Sequence, residues 1–129
     1  MPGHRLAGYG DRLLDHFENP RNLGDLPDPD AIGEASNPAC GDELCLSLRI
    51  RDGIIERALF RASGCSAAIA SSSVTTELLT GRTLEQAAAL TNAQVAEALG
   101  GLPPAKLHCS VLAEDAIRAA LADFSRRRR

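Results

Sequence analysis

The chain contains no tryptophan, one tyrosine and three phenylalanines, so aromatics make up 3% of its 129 residues. With a formal net charge of −3, that scarcity argues against a nucleic-acid surface, which needs clustered basic groups and stacking rings. No run of eighteen apolar residues is present and no signal-peptide pattern opens the chain, so the expectation is a cytoplasmic protein without membrane contact. Lysine is nearly absent: Lys106 is the sole one against thirteen arginines. Four cysteines occur, yet no two form a Cys-x-x-Cys pair. The usual zinc ribbon or knuckle is therefore a poor fit.

What is present suits one domain, residues 1–129, with a core of closely packed small side chains. Apolar residues reach 44%, mostly Ala, Leu, Ile and Val, and the length is sufficient to bury a core of its own. Residues 1–8 read as a loose leader. Arg126 to Arg129 form a basic tail, and without those four positive charges the body stands at about −7. Such a tail is most simply a solvated, poorly ordered end, with docking as the alternative.

Periodicity supplies the elements. Leu13, Leu14 and Phe17 sit at helical spacing between Tyr9 and Phe17, and Asn19-Pro20 ends that helix. Residues 20–38 are rich in Pro, Gly, Asp and Asn and read as a long irregular segment. Leu44, Leu46, Leu48 and Ile50 then alternate with Cys45, Ser47, Arg49 and Arg51. Asp52-Gly53 is a two-residue hairpin turn, and residues 54–60 return as the partner strand. A helix is expected over residues 66–80, stopped by Gly81. Thr83-x-x-Gln86 and Thr91-x-x-Gln94 are capping boxes that open two short helices. After Pro103-Pro104 a last helix carries Cys109, Leu112, Ala113, Ala116, Ile117, Ala120, Leu121 and Phe124 on one face. Helix, loop, antiparallel strands and further helices make an α+β domain.

Three cysteines have neighbourhoods suited to chemistry: Pro38-Ala39-Cys40-Gly41-Asp42, Ser63-Gly64-Cys65-Ser66 and Leu107-His108-Cys109-Ser110. Each lies where the chain changes direction, which is how a small domain gathers soft ligands at one pole. Without an export signal, thiols kept reduced as ligands are expected rather than disulfides. Cys65 and Cys109 fall at predicted helix starts, where free N–H groups and the helix dipole favour the thiolate. Gly41 and Gly64 let the backbone beside a thiol approach a bulky inorganic core. Asp42 reads either as a hard, weak fourth ligand or as a turn residue bonded to its own backbone. His108 is a ligand or a surface histidine, and Cys109 a ligand or a buried core residue. Cys45 shares its strand face with Ser47 and Arg49, away from the apolar stripe, and is read as a bystander. The set suits a thiophilic metal or a metal–sulfur cluster.

Phe17-Glu18-Asn19-Pro20-Arg21-Asn22, Ala39-Cys40-Gly41-Asp42, Gly64-Cys65 with residues 68–73 (Ala-Ile-Ala-Ser-Ser-Ser), and the run from Leu102 to Ser110 together resemble the IscU / NifU amino-terminal-domain family of iron–sulfur scaffolds. The similarity runs from about Tyr9 to Phe124. It implies a small antiparallel three-stranded sheet packed against several helices, and a scaffold rather than a turnover enzyme. It also implies a labile [2Fe–2S] cluster on Cys40, Cys65 and Cys109, with Asp42 and His108 as fourth-ligand or tuning residues and Cys109 as persulfide acceptor. The implied partners are a cysteine desulfurase, a DnaK-type chaperone with its J-protein, a ferredoxin and apo recipient proteins. The family's chaperone signature, Leu-Pro-Pro-Val-Lys, reads here Leu102-Pro103-Pro104-Ala105-Lys106. Alanine in place of valine removes apolar contact and implies weaker or absent chaperone recognition. The sole lysine of the chain, however, occupies the signature's lysine position, and arginine does not substitute freely for it.

The alternative within the same resemblance is a SufU-like, zinc-dependent sulfurtransferase. That branch carries an insertion between the second and third cysteines and lacks the histidine before the last one. Here only 43 residues separate Cys65 from Cys109, and His108 is present. A Cys₃Asp or Cys₃His zinc module is a third reading, because the same ligands suit zinc.

Overall fold

Strand alternation organises the sheet. The computed structural model describes residues 10–128, so the leader, Tyr9 and Arg129 lie outside the described residues. Leu44, Leu46 and Leu48 are buried along β2 (Asp42–Arg51), as their period of two requires. β3 (Ile54–Ser63) pairs antiparallel with it through the Asp52-Gly53 turn, where both residues have positive φ (55° and 74°). That is the backbone an inter-strand turn of matching twist needs. A register shift at Arg49/Ile50 places a bulge near the hairpin end.

The third strand, β1 (Ala31–Asn37), lies inside the stretch whose composition suggests an irregular segment. Its residues, Ala-Ile-Gly-Glu-Ala-Ser-Asn, carry one β-branched side chain and no strand signature of their own. Tertiary partners supply what propensity does not. β1 pairs antiparallel with β2, giving sheet order β1-β2-β3, and packs against the last helix, α5 (Leu107–Arg127). Gly33 is the point of closest approach. A Cβ there would collide with the backbone of Ala116 and Ala120 in α5. Asp123 of α5 also accepts from the Ile32 N–H at 2.8 Å, occupying a donor that a free sheet edge would leave open. Replacing Gly33 by Val is expected to cost about 3 kcal/mol or more, because helix backbone cannot yield as a side-chain tip can. A denaturant midpoint within error of the parent would show that the contact is slack.

The remaining elements are α1 (Asp11–Glu18), α2 (Ser66–Leu79), α3 (Leu84–Ala88) and α4 (Asn92–Ala98). Both capping boxes form, with Thr83 and Thr91 accepting from the backbone of Gln86 and Gln94. α5 starts after a 3₁₀ turn over Pro104–Lys106 and buries Cys109, Leu112, Ala113, Ala116, Ile117 and Ala120. It continues through Arg126 and Arg127, where the run of arginines suggests a solvated tail. Both pair with Asp123, and Arg127 also donates to the Pro29 carbonyl. These contacts sustain the last turn beyond what four adjacent cations would hold. Among the described residues no helix is long and apolar enough to cross a membrane.

α2 is buried although it is written largely in Ser, Thr and Ala. Ser72, Thr75 and Thr76 satisfy their hydroxyls on carbonyls three or four residues back. Ser73 takes a different partner: it accepts from Arg21 N–H and lies 2.8 Å from His16 Nδ1. His16 Nε2 in turn faces Glu77 at 3.4 Å, so this ring ties α1 to α2. Burial, then the Arg21 charge, push the His16 pKa down, outweighing Glu77 and Asp15. The unfolded chain therefore binds the His16 proton more tightly. Its contribution to stability is complete above the ordinary histidine value of about 6.5 and declines as pH falls below it. Stability measured from pH 7.5 to 5.5 should fall, and a His16→Gln variant should show a flatter profile. An unchanged slope would assign the loss to other groups.

A candidate iron–sulfur ligand cluster

Five side chains from three elements meet at one end of the sheet. Cys40 sits in the four-residue connection between β1 and β2, where its N–H and that of Gly41 both bond the Asn37 carbonyl. Gly41 takes φ 73° to complete that turn. Asp42 is the first residue of β2 and is 1% exposed. Cys65 is the N-cap of α2. His108 and Cys109 are the second and third residues of α5.

Asp42 lies at the centre. Its Oδ1 accepts from the Cys65 backbone N–H at 3.2 Å, which settles it as a group tied across to α2 rather than a residue bonded within its own turn. Its Oδ2 faces His108 Nε2 at 3.3 Å, Cys109 Sγ at 3.9 Å and Cys65 Sγ at 4.0 Å. The two inner thiols are 3.7 Å apart. Cys109 Sγ is 3.6 Å from His108 Nε2. The neighbours His108 and Cys109 converge because the 3₁₀ turn leads directly into the first turn of α5. Two ligand triads result, Cys40–Asp42–His108 and Asp42–Cys65–Cys109. In each, one donor atom per residue lies within 4.8 Å of the others. They share Asp42. All four cysteines are free thiols.

The expectation that a helix start favours thiolate fails at Cys109. Burial, followed by the neighbouring Cys65 and then Asp42, raises its pKa well above the ordinary thiol value, and Lys106 opposes this only weakly. Desolvation outweighs the dipole of one helix turn here.

Cys45 stands outside both triads. It pairs with Glu34 and Arg61 on the opposite sheet face, half-buried, and its thiol pKa is raised, chiefly by burial. It opens on a groove of about 600 Å³ lined also by Leu23, Glu43 and Arg61. That groove contains none of the five convergent side chains. The 102–106 run lies beside the cluster, with Pro104 and Ala105 exposed and Leu102, Pro103 and Lys106 half-buried. Leu107 and Val111, one turn apart on α5, add exposed apolar surface next to His108.

Three thiols with one carboxylate and one imidazole suit iron and sulfide or zinc, and are poorly matched to magnesium or calcium, which prefer all-oxygen sets. Comparison with known proteins narrows the choice. Residues 8–129 match the family model described as the NifU-like N terminal domain. The chain is 52% identical over 124 residues to the iron–sulfur cluster assembly scaffold protein IscU of Azotobacter vinelandii, covering 93% of this chain and 96% of that one. It is 49% identical over 119 residues to IscU 1 of Archaeoglobus fulgidus, named likewise, covering 92% of this chain and 78% of that one. A crystal structure from Fervidobacterium islandicum, described as a candidate scaffold protein for the SUF system, superposes with a TM-score of 0.72. It covers 88% of this chain and 96% of that one at 20% identity, and so speaks for the fold alone.

Proposed function

The chain belongs to the NifU-like N-terminal domain family, and from that premise we propose that it is a scaffold on which a labile [2Fe–2S] cluster is assembled and from which it is passed on. One observation carries the reading. Five donors of graded softness, Cys40, Asp42, Cys65, His108 and Cys109, converge from a hairpin loop and two helix starts. Iron and sulfide are cargo here, and a site meant to release cargo needs ligands of unequal strength.

In this reading Cys109 is the first acceptor of sulfur from a cysteine desulfurase. Its sulfur attacks the outer sulfur of the enzyme's persulfide; a new S–S bond forms on Cys109 and the desulfurase thiolate leaves. His108 Nε2, 3.6 Å away, is positioned to take the Cys109 proton. Cys40 and Cys65 complete the thiolate set, with Asp42 as the weak ligand. A ferredoxin as electron source and apo recipient proteins belong to the same proposal, with recognition of Leu102–Lys106 by a DnaK-type chaperone and its J-protein weakened by Ala105. The presence of His108 in the cluster favours a scaffold over a zinc-dependent sulfurtransferase.

Anaerobic reconstitution with ferrous iron, cysteine and a desulfurase tests the proposal. Visible absorption, iron and acid-labile sulfide should rise together. No chromophore, with one tightly held zinc required for persulfide transfer, would sink it.

A further inference from the structure

We infer that Gly64 is a positioning residue that commits Asp42 to a single, monodentate donor oxygen. Gly64 has φ 135°, a conformation that a side chain other than hydrogen strongly disfavours. A Cβ there would overlap Asp42 Oδ1 and approach Asp42 Cγ to 2.9 Å and Cα to 3.0 Å. The carboxylate therefore occupies the volume that a side chain at residue 64 would fill. From that place Oδ1 accepts the N–H of the next residue, Cys65, at 3.2 Å. Only Oδ2 remains turned toward His108, Cys65 and Cys109.

The consequence concerns how Asp42 can bind. A carboxylate free to rotate offers a metal two oxygens. One oxygen of Asp42 is anchored beside Gly64 and the Cys65 N–H, while the other faces the thiols and imidazole, so chelation through both would require the carboxylate to rotate out of that anchored position. Asp42 is thereby kept a weak ligand by the main chain of residues 64 and 65. The sequence alone points to another use for this glycine, as room for an inorganic core, whereas the structure fills that room with the carboxylate. The inference deepens the proposed function and rests on it for the meaning of ligand strength, but the placement of Asp42 is testable in the metal-free chain.

The test compares Gly64→Ala, Asp42→Ala and the double variant. In the metal-free chain, the Cys65 amide is followed by ¹H–¹⁵N NMR and hydrogen exchange. Asp42→Ala should move that amide upfield and speed its exchange about tenfold, as expected for losing a hydrogen bond to a charged acceptor. Gly64→Ala should reproduce this change, and the double variant should differ from Asp42→Ala by less than about twofold, since coupled residues are non-additive. After cluster loading, Gly64→Ala should lengthen cluster lifetime as Asp42→Ala does. A wild-type Cys65 amide in Gly64→Ala, or a full extra effect in the Asp42→Ala background, would overturn the inference. Should Gly64→Ala not fold, Asp42→Glu serves instead. The longer side chain does not fit under Gly64 and should lose the same amide signature, and its retention would equally overturn the inference. Failure of the parent chain to assemble any cluster would remove the functional reading, while the amide comparison still decides the role of Gly64.

Discussion

Replacing Cys109 by Ser should abolish cluster assembly, with iron and labile sulfide falling at least about tenfold, while Cys45→Ser assembles normally. The geometry sets the size of the first effect. Cys109 Sγ faces three of the other four side chains: Cys65 Sγ at 3.7 Å, His108 Nε2 at 3.6 Å and Asp42 Oδ2 at 3.9 Å. A serine oxygen is hard, shorter-reaching and protonated at neutral pH, and it binds iron–sulfur cores poorly. Losing one of the three proposed soft ligands is worth more than the about 1.4 kcal/mol that separates each factor of ten in an equilibrium constant. The fold should persist, because serine is nearly isosteric and Cys109 is only the third residue of a 21-residue helix. Far-ultraviolet circular dichroism on the same sample separates lost ligation from lost folding. The Cys45 arm is the control for thiol content: it removes one sulfur from the opposite sheet face, outside both triads. Retained chromophore in Cys109→Ser, or its loss in Cys45→Ser, would contradict the ligand assignment.

The two cysteines also show why one part of this molecule is readable from sequence and another is not. The face of Cys45 follows from the alternation of Leu44, Leu46 and Leu48, because a strand has a period of two regardless of its surroundings. The two threonine capping boxes are equally local, each closing within four residues. β1 is different. Ala31 to Asn37 is a strand because β2 offers it a ladder and because Gly33 admits the backbone of α5, two partners remote in sequence. Local composition points instead to loop.

The candidate site divides along the same line. The thiol, carboxylate and imidazole side chains, and the glycines beside Cys40 and Cys65, can be read off the chain. Their electrostatics cannot. The raised pKa of Cys109 depends on burial and on the approach of Cys65 and Asp42, which are 44 and 67 residues away in sequence. Nor does local sequence reveal that Gly64 makes room for a carboxylate rather than for cargo. The steric signal lies in the pairing of residue 64 with residue 42, which only the folded chain brings together.

Replacing Asp42 by Ala should lengthen the lifetime of the assembled cluster by roughly tenfold, the scale of one charge-assisted hydrogen bond. Asp42 brings an oxygen donor into a space otherwise lined by two thiols and an imidazole. Its removal does three things. It takes away the hardest ligand, leaving a set in which His108 can become the fourth donor beside Cys40, Cys65 and Cys109. It frees His108 Nε2 from its 3.3 Å approach to the carboxylate, so the imidazole can turn toward metal. It also takes a buried negative charge from beside thiolates, easing their simultaneous ionisation. Against these stands the cost of leaving the Cys65 N–H without its acceptor, about 1–3 kcal/mol if no water replaces it. That cost falls on the metal-free and loaded chains alike, so it lowers thermal stability without shortening cluster lifetime. The two readouts should therefore move in opposite directions: a lower melting temperature for the metal-free variant, and slower bleaching of the loaded one under a fixed chelator concentration. Equal or faster bleaching would show that Asp42 holds the cluster rather than loosens it, and the assignment of lability would then have to pass to His108.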